Sequence, residues 1–221
     1  MLQGEGVCNL TFMFLRMWRH ASAERDDFDQ FRPTCSARAD GYVQSFADSP
    51  LDRHNVAENS FLQLINRAER YLYITTPYLI LDYSMVTALK IAAQSGVDVR
   101  IVTPHIADKW FVHFVSQSYY RQLVEAGVKI YEFTPGFIHS KMLVSDDNIA
   151  VVGSINLDYR SLYLHFECGT VFYSGSMPRR VREDILDTIG RSEEITRAWC
   201  RKTPRLKALV QTILRSFAPL M

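Results

Sequence analysis

The sequence predicts an α/β fold: a mixed, mostly parallel sheet flanked by helices. Three observations carry that expectation. The chain has 221 residues, 48% of them hydrophobic, which is enough for one sizeable core. Between residues 55 and 133, apolar runs with helical spacing alternate with short runs rich in β-branched and aromatic residues. Turn chemistry closes these runs, with glycine after the helices at Gly96 and Gly127 and Thr-Pro after the strands at Thr76 and Thr103.

Residues 4–20 predict a helix, because Val7, Leu10, Phe14 and Trp18 fall at three- and four-residue spacing. Residues 21–41 are charged and rich in turn formers and read as a linker or surface loop; a strand follows over 41–47 and a turn over 48–52. Residues 55–70 predict an amphipathic helix presenting Phe61, Leu64, Ile65 and Ala68, followed by a buried strand over 71–76. Ser84 can cap the next helix, which Gly96 stops. A strand over 97–102, an aromatic-rich helix over 108–126 and a strand over 128–133 complete the series. Parallel strands joined by helices gather ligands at their carboxyl ends. Tyr78 and His105, just past two such ends, are therefore candidates to line a pocket; the plainer readings are a packing tyrosine and a solvated or capped histidine.

The most informative stretch is 139–156, HSKMLVSDDNIAVVGSIN, which reads H-x-K-x4-D-x6-G-S-x-N. Side chains repeat every two residues along a strand, so His139 and Lys141 share a face. Ser145 to Asn148 is turn chemistry, and Ile149 to Val152 reads as a second strand returning antiparallel. The hairpin carries Ser154 and Asn156 back toward His139, and Gly153 permits a close backbone approach to a ligand. Such a set suits a phosphate: Lys141 supplies charge, Ser154 and Asn156 supply neutral donors, and the His139 nitrogen can attack or move a proton. Matching these fixed positions by chance is expected on the order of once in tens of millions of windows.

Downstream, residues 168–172 read as a buried strand. Residues 178–200 read as one long charged helix with Val181, Ile185, Ile189 and Ile195 as its apolar positions. Thr203-Pro204 then starts a last helix over 205–217. Leu206, Leu209, Val210, Ile213, Leu214 and Phe217 form its apolar face, with Arg205, Lys207 and Arg215 off it. That face either packs on the domain or lies in a membrane interface.

Composition excludes several classes. The formal net charge of +1 gives no global field for nucleic acid or for an anionic membrane. Cys8, Cys35, Cys168 and Cys200 show neither metal-ligand spacing nor a disulfide framework, which fits reduced thiols in a cytoplasmic compartment. No apolar run reaches transmembrane length, and no secretory signal is evident.

The 139–156 motif resembles the signature of the phospholipase D superfamily, with every fixed position present. The continuation LDYRSLYLHFEC over 157–168 resembles bacterial cardiolipin synthases more specifically. So do TPYLI at 76–80, GVDVRI at 96–101, GVKIYE at 127–132 and PGFIH at 135–139. The resemblance implies a phospholipase D-like lobe over 51–200, preceded by a helix over 1–20 like the one that closes a first lobe and a linker and first strand over 21–50, and followed by an amphipathic helix over 201–221. It implies that His139 is the phosphorus nucleophile or its acid/base partner, that Lys141 and Asn156 bind phosphate oxygens with Ser154 alongside, and that Glu167 orients the His139 ring. Asp146 is the motif aspartate, at a turn away from the His139 end. Glu167 otherwise reads as a solvent-facing strand start, and Arg160 as an ion pair with Asp158 or a phosphate contact.

The implied activity joins two phosphatidylglycerols into cardiolipin and glycerol through a phosphohistidine, with no metal and no nucleotide cofactor. The implied partners are phosphatidylglycerol, a membrane surface and a second motif-bearing lobe, either a first half outside this chain or a second copy; no nucleic acid is expected. The implied location is the bacterial cell membrane, peripheral or on its cytoplasmic face. A homodimeric single-motif phosphodiesterase or endonuclease is the alternative, and an inactive interaction module is a third.

Overall fold

The computed structural model of the chain describes residues 2–22, 27–51 and 53–220, with all their side chains except those of Arg205 and Leu220. Part of the predicted linker (23–26) and Asp52, the last residue of the predicted turn, lie outside the described residues. The elements in chain order are α1 (Cys8–Ser22), β1 (Tyr42–Asp48), α2 (Val56–Arg67), β2 (Tyr71–Thr75), β3 (Leu79–Ile80), α3 (Tyr83–Gln94), β4 (Asp98–Pro104), α4 (Trp110–Glu125) and β5 (Lys129–Phe133). Then follow β6 (Met142–Ser145), β7 (Ile149–Gly153), β8 (Leu157–Asp158), a π-helical turn (Arg160–Leu164), β9 (Glu167–Tyr173), α5 (Met177–Gly190), β10 (Ser192–Ile195), α6 (Arg197–Arg201) and α7 (Arg205–Arg215).

Eight strands form one sheet in the order β1-β9-β7-β6-β2-β4-β5-β10, and β3 pairs with β8 beside it. The mixed sheet flanked by helices is as expected. Parallel pairing within it is confined to β2–β4 and β4–β5, where helices make the crossovers. The remaining pairs of that sheet are antiparallel. The cause is local: the β6–β7 hairpin enters against β2, and β9 returns against β7.

Alternation along the strands divides the core between two faces. Leu72 and Ile74, Ile101, Ile130, Leu143 and Val151 point to the side covered by α2, α3 and α4. Tyr71 and Tyr73, Val102, Tyr131, Val144 and Ala150 point to the side covered by α5.

Three local readings are corrected. Asp82, not Ser84, caps α3, its carboxylate accepting from Met85 N–H at 2.7 Å. The long helix expected over 178–200 is three elements, α5, β10 and α6. On a continued helix Ile195 would lie about 40° from Val181, so the apolar spacing itself carries no break. As a strand, β10 instead pairs with the edge of β5 and buries Ile195 opposite Ile130. In the first helix, Leu15 is the buried side chain of α1, whereas Phe14 and Trp18 stack on each other on the exposed side.

The last helix meets α4 with its polar side. Gln211 is buried and its Nε2 donates to Phe114 O at 3.0 Å. Lys207 Nζ donates to Gln117 Oε1 at 3.0 Å, and the Arg215 guanidinium lies 4.0 Å from the Tyr119 ring. Leu214 is the one apolar-face residue packed against the core; Leu206, Leu209, Val210, Ile213 and Phe217 are exposed. No helix among the described residues is long and apolar enough to cross a membrane.

Candidate active site

His139 and Lys141 lie in the extended lead-in to β6, at the end where β2 terminates, because Met142 pairs with Thr75. Ser140, facing the other way, donates to Thr75 Oγ1 at 3.0 Å and pins the lead-in to β2. The expected common face is present: Lys141 Nζ is 3.1 Å from His139 Nδ1 and donates to His139 O at 2.8 Å. Partial burial, and then the Lys141 charge, push the His139 pKa below the ordinary imidazole value, while Asp108 opposes them. Burial likewise lowers the Lys141 pKa, against the nearby carboxylates of Glu167 and Asp158. Burial and the Lys141 charge both favour the neutral imidazole, whose Nδ1 lone pair faces the Lys141 ammonium.

The return strand brings Ser154, Asn156 and Glu167 together, but not in the expected pairing. Glu167 accepts from Ser154 Oγ in a short hydrogen bond and from Ser161 Oγ at 2.8 Å. It does not bond the His139 ring, whose Nδ1 faces Lys141. The reason is register: Ser154 N–H donates to Cys168 O, and Cys168 N–H donates to Ser154 Oγ, which fixes the hydroxyl directly beside Glu167. Asn156 Nδ2 donates to Ser161 Oγ at 2.9 Å, and its Oδ1 is buried without a partner.

Gly153 also differs from expectation. A Cβ there would meet Cys168 O at 2.3 Å and Gly169 Cα at 2.8 Å, so its close approach is to β9 and not to a ligand. Asp146 stands at the opposite end of the hairpin from His139 and takes no part in the cluster. Its carboxylate accepts from the N–H groups of Glu69, Arg70 and Tyr71 at 2.8–2.9 Å, tying the turn to the start of β2. Burial pushes its pKa up, and those three N–H donors outweigh that and lower it. Asp146 and Asp147 both hold positive φ, which short Asp side chains tolerate in a tight turn.

Tyr78 flanks the site, and His105 follows the end of β4. The Tyr78 ring stands edge-on to His139 with centroids 6.4 Å apart, and Phe137 lies against the same imidazole at 5.5 Å. Tyr78 OH donates to Asp108 Oδ2 at 2.5 Å; burial, and then that carboxylate, push its pKa far up, so it stays a phenol. His105 is half-exposed and oriented through Nδ1 by buried Glu132 at 2.9 Å. Tyr120 and Gln117 also donate to that carboxylate. Arg160 donates to His165 at 2.7 Å, not to Asp158.

The motif reading missed three residues. Asp108 reaches Tyr78 and the field of His139 from the loop before α4. Ser161, in the π-helical turn, bridges Asn156 and Glu167. Asp158 is buried and its pKa is raised by that burial. Only the DYRS run after the motif could have pointed to the last two.

In this arrangement the Ser154 and Ser161 hydroxyls already donate to Glu167, which leaves the Lys141 ammonium and the second Asn156 amide proton as the groups able to meet an anion. The chain matches the family described as cardiolipin synthase, phospholipase D-like domain, over residues 61–187. A cardiolipin synthase of Alkalihalophilus pseudofirmus is 36% identical over 222 residues, covering 100% of this chain and 44% of that protein. An uncharacterized protein of Streptococcus mutans is 45% identical over 226 residues, covering 100% of this chain and 48% of that protein. The chain thus spans under half the length of these curated relatives. The solved structure of the phospholipase D family member Nuc from Salmonella typhimurium has the same fold, with a TM-score of 0.59, 18% identity, and coverage of 70% of this chain and 98% of that one. On this match, in sequence and in fold, the chain belongs to the family of cardiolipin synthase phospholipase D-like domains.

Proposed function

We propose that this chain supplies one lobe of a phospholipase D-type phosphatidyltransferase, which joins two phosphatidylglycerols into cardiolipin and glycerol. What supports the reading is the geometry: His139 held against Lys141, at the end of β2, on the hairpin that also brings back Ser154, Asn156 and Glu167. Membership of the family supports the substrate class.

In this scheme a His139 nitrogen attacks the phosphorus of the first phosphatidylglycerol. The P–O bond to its headgroup glycerol breaks as the P–N bond forms. Lys141 stabilises the charge that grows on the phosphate oxygens. The departing glycerol oxygen needs a proton, and an alkoxide leaves poorly without one. A histidine of a second motif, in a partner lobe, gives that proton. It then takes one from the headgroup hydroxyl of the second phosphatidylglycerol. That oxygen attacks phosphorus, the P–N bond breaks, and cardiolipin departs. Exclusion of water favours the lipid alcohol over hydrolysis. Asn156 reaches the phosphate by exchanging its bond to Ser161, and Glu167 acts on the cation–phosphate pair through Ser154.

The partner lobe is either a first half, as the longer relatives favour, or a second copy of this chain. The second arrangement draws on one observation: the likeness to Nuc covers nearly all of that chain. Turnover of labelled phosphatidylglycerol in vesicles by the purified chain, with its mass in solution, tests both. Cardiolipin formed by a dimer and lost in His139→Ala and Lys141→Ala is the result for self-pairing. A silent monomer, rescued by the first half of a longer relative, is the result for a split site. Turnover unchanged in either variant would sink the site, and silence in both arms would leave an interaction module.

A further inference from the structure

The α7 helix turns its apolar side away from the protein. Leu206, Leu209, Val210, Ile213 and Phe217 fall within an arc of about 100°, and Leu206 is 73% and Ile213 53% exposed. The opposite side holds Lys207, Gln211 and Arg215 against α4. An amphipathic helix normally buries its apolar stripe and solvates its polar one. Here that is reversed, so the stripe serves something outside the described structure.

The charge around it identifies the occupant. Residues 196–221 carry six of the chain's 25 Lys and Arg and none of its 24 Asp and Glu, leaving 19 basic against 24 acidic residues elsewhere. A nearly neutral chain therefore has one basic end, and it coincides with the exposed stripe. Arg201 and Lys202 are exposed on α6 and the turn into α7. Glu125, whose carboxylate is already paired with Arg121, feels the charges of Arg197 and Arg201, and Arg197 donates to its backbone carbonyl at 3.4 Å. A protein groove would take the stripe without needing a purely basic surround. An anionic lipid surface takes both, with apolar side chains in the acyl boundary and cations at the phosphates.

We propose that α7 is a bilayer-docking helix, whose outward apolar stripe enters the headgroup–acyl boundary of an anionic phospholipid membrane while residues 196–221 supply the matching positive charge. The opposite, protein-facing side of α7 is joined to His105, after the end of β4, by a hydrogen-bonded chain. Lys207 Nζ donates to Gln117 at 3.0 Å, Gln117 to Glu132 at 3.1 Å, and Glu132 meets His105 at 2.9 Å.

Flotation of the purified full chain with vesicles tests this. One set is phosphatidylglycerol in phosphatidylcholine, the other phosphatidylcholine alone. Binding is expected to the first set, and to fall about tenfold or more in Leu209→Glu/Ile213→Glu, since charged groups do not enter the acyl region. Arg201→Gln/Lys202→Gln is expected to weaken binding to the anionic vesicles and to flatten its salt dependence. All these positions are exposed, and an unchanged circular dichroism melt checks that each variant folds. The His139→Ala chain is run alongside and is expected to bind vesicles fully, which separates docking from capture of lipid at the site. The proposal is overturned if the wild-type chain does not float, or if the double glutamate variant floats equally well. It is also overturned if that variant instead dissolves an oligomer seen without lipid, because the stripe would then be a protein interface.

Discussion

A histidine serves as a nucleophile only when neutral, and the surroundings of His139 arrange for that with burial and a neighbouring ammonium. Its pKa is depressed, so the neutral form that the proposed attack requires persists above the folded-state value and is lost as pH falls through it. The acid limb of turnover should therefore lie below the ordinary imidazole value of about 6.5. Asp108 pulls the other way. Asp108→Asn is expected to lower the His139 pKa further, read by NMR as a move of the midpoint of its ring-proton titration to lower pH; an unchanged or higher midpoint would remove Asp108 from the site's field. The His139–Lys141 pair was legible in sequence because strand periodicity is two and both fall on one short run. Asp108 was not, because it meets Tyr78 across a gap of 30 residues, through loops that carry no period. Glu167 was found as a member of the cluster, but its partners were not. Which of several nearby donors reaches a carboxylate depends on a strand register that only the folded β9 defines.

At the scale of elements, the hairpin is fastened at its far end by a residue with no chemistry to perform. Asp146→Ala leaves three N–H groups at the start of β2 without their charged acceptor. A loss of about 3 kcal/mol in urea unfolding is expected. The depressed pKa makes this stabilisation fully present above the unfolded aspartate value of about 3.9, and it is lost as pH falls through the lower folded value. The variant and parent stabilities should therefore converge in acid. Gly153→Ala drives a methyl into the Cys168 carbonyl, and an equilibrium cost of about 3 kcal/mol is expected. Element types were mostly legible: α2 to β5 follow the expected alternation closely, since each has a clean period and a glycine or Asx boundary. The break between α5 and α6 was hidden, because β10 is short, charged and apolar only at Ile195. Such an edge strand is specified by the partner it covers, not by its own pattern.

At the scale of the whole molecule, the two halves of the sheet are built differently. The parallel half, β2, β4 and β5, is contiguous in sequence and joined by helices. The antiparallel half is not, because β1 pairs with β9, and Ser45 meets Thr170 at a separation of 125 residues. That pairing has a consequence in time. During synthesis at roughly 5–20 residues per second, β1 waits on the order of ten seconds for its partner strand to be made. Until then its edge groups have no strand to bond, while the parallel half can already close. Nascent chains arrested just before β9 leaves the ribosome should thus show protected α2 to β5 but protease-sensitive β1. Chains released past α5 should protect both, and early protection of β1 would mean that something else shelters it. The strand made first is among the last to find its place, and for that interval the chain depends on not meeting another copy's β9 before its own.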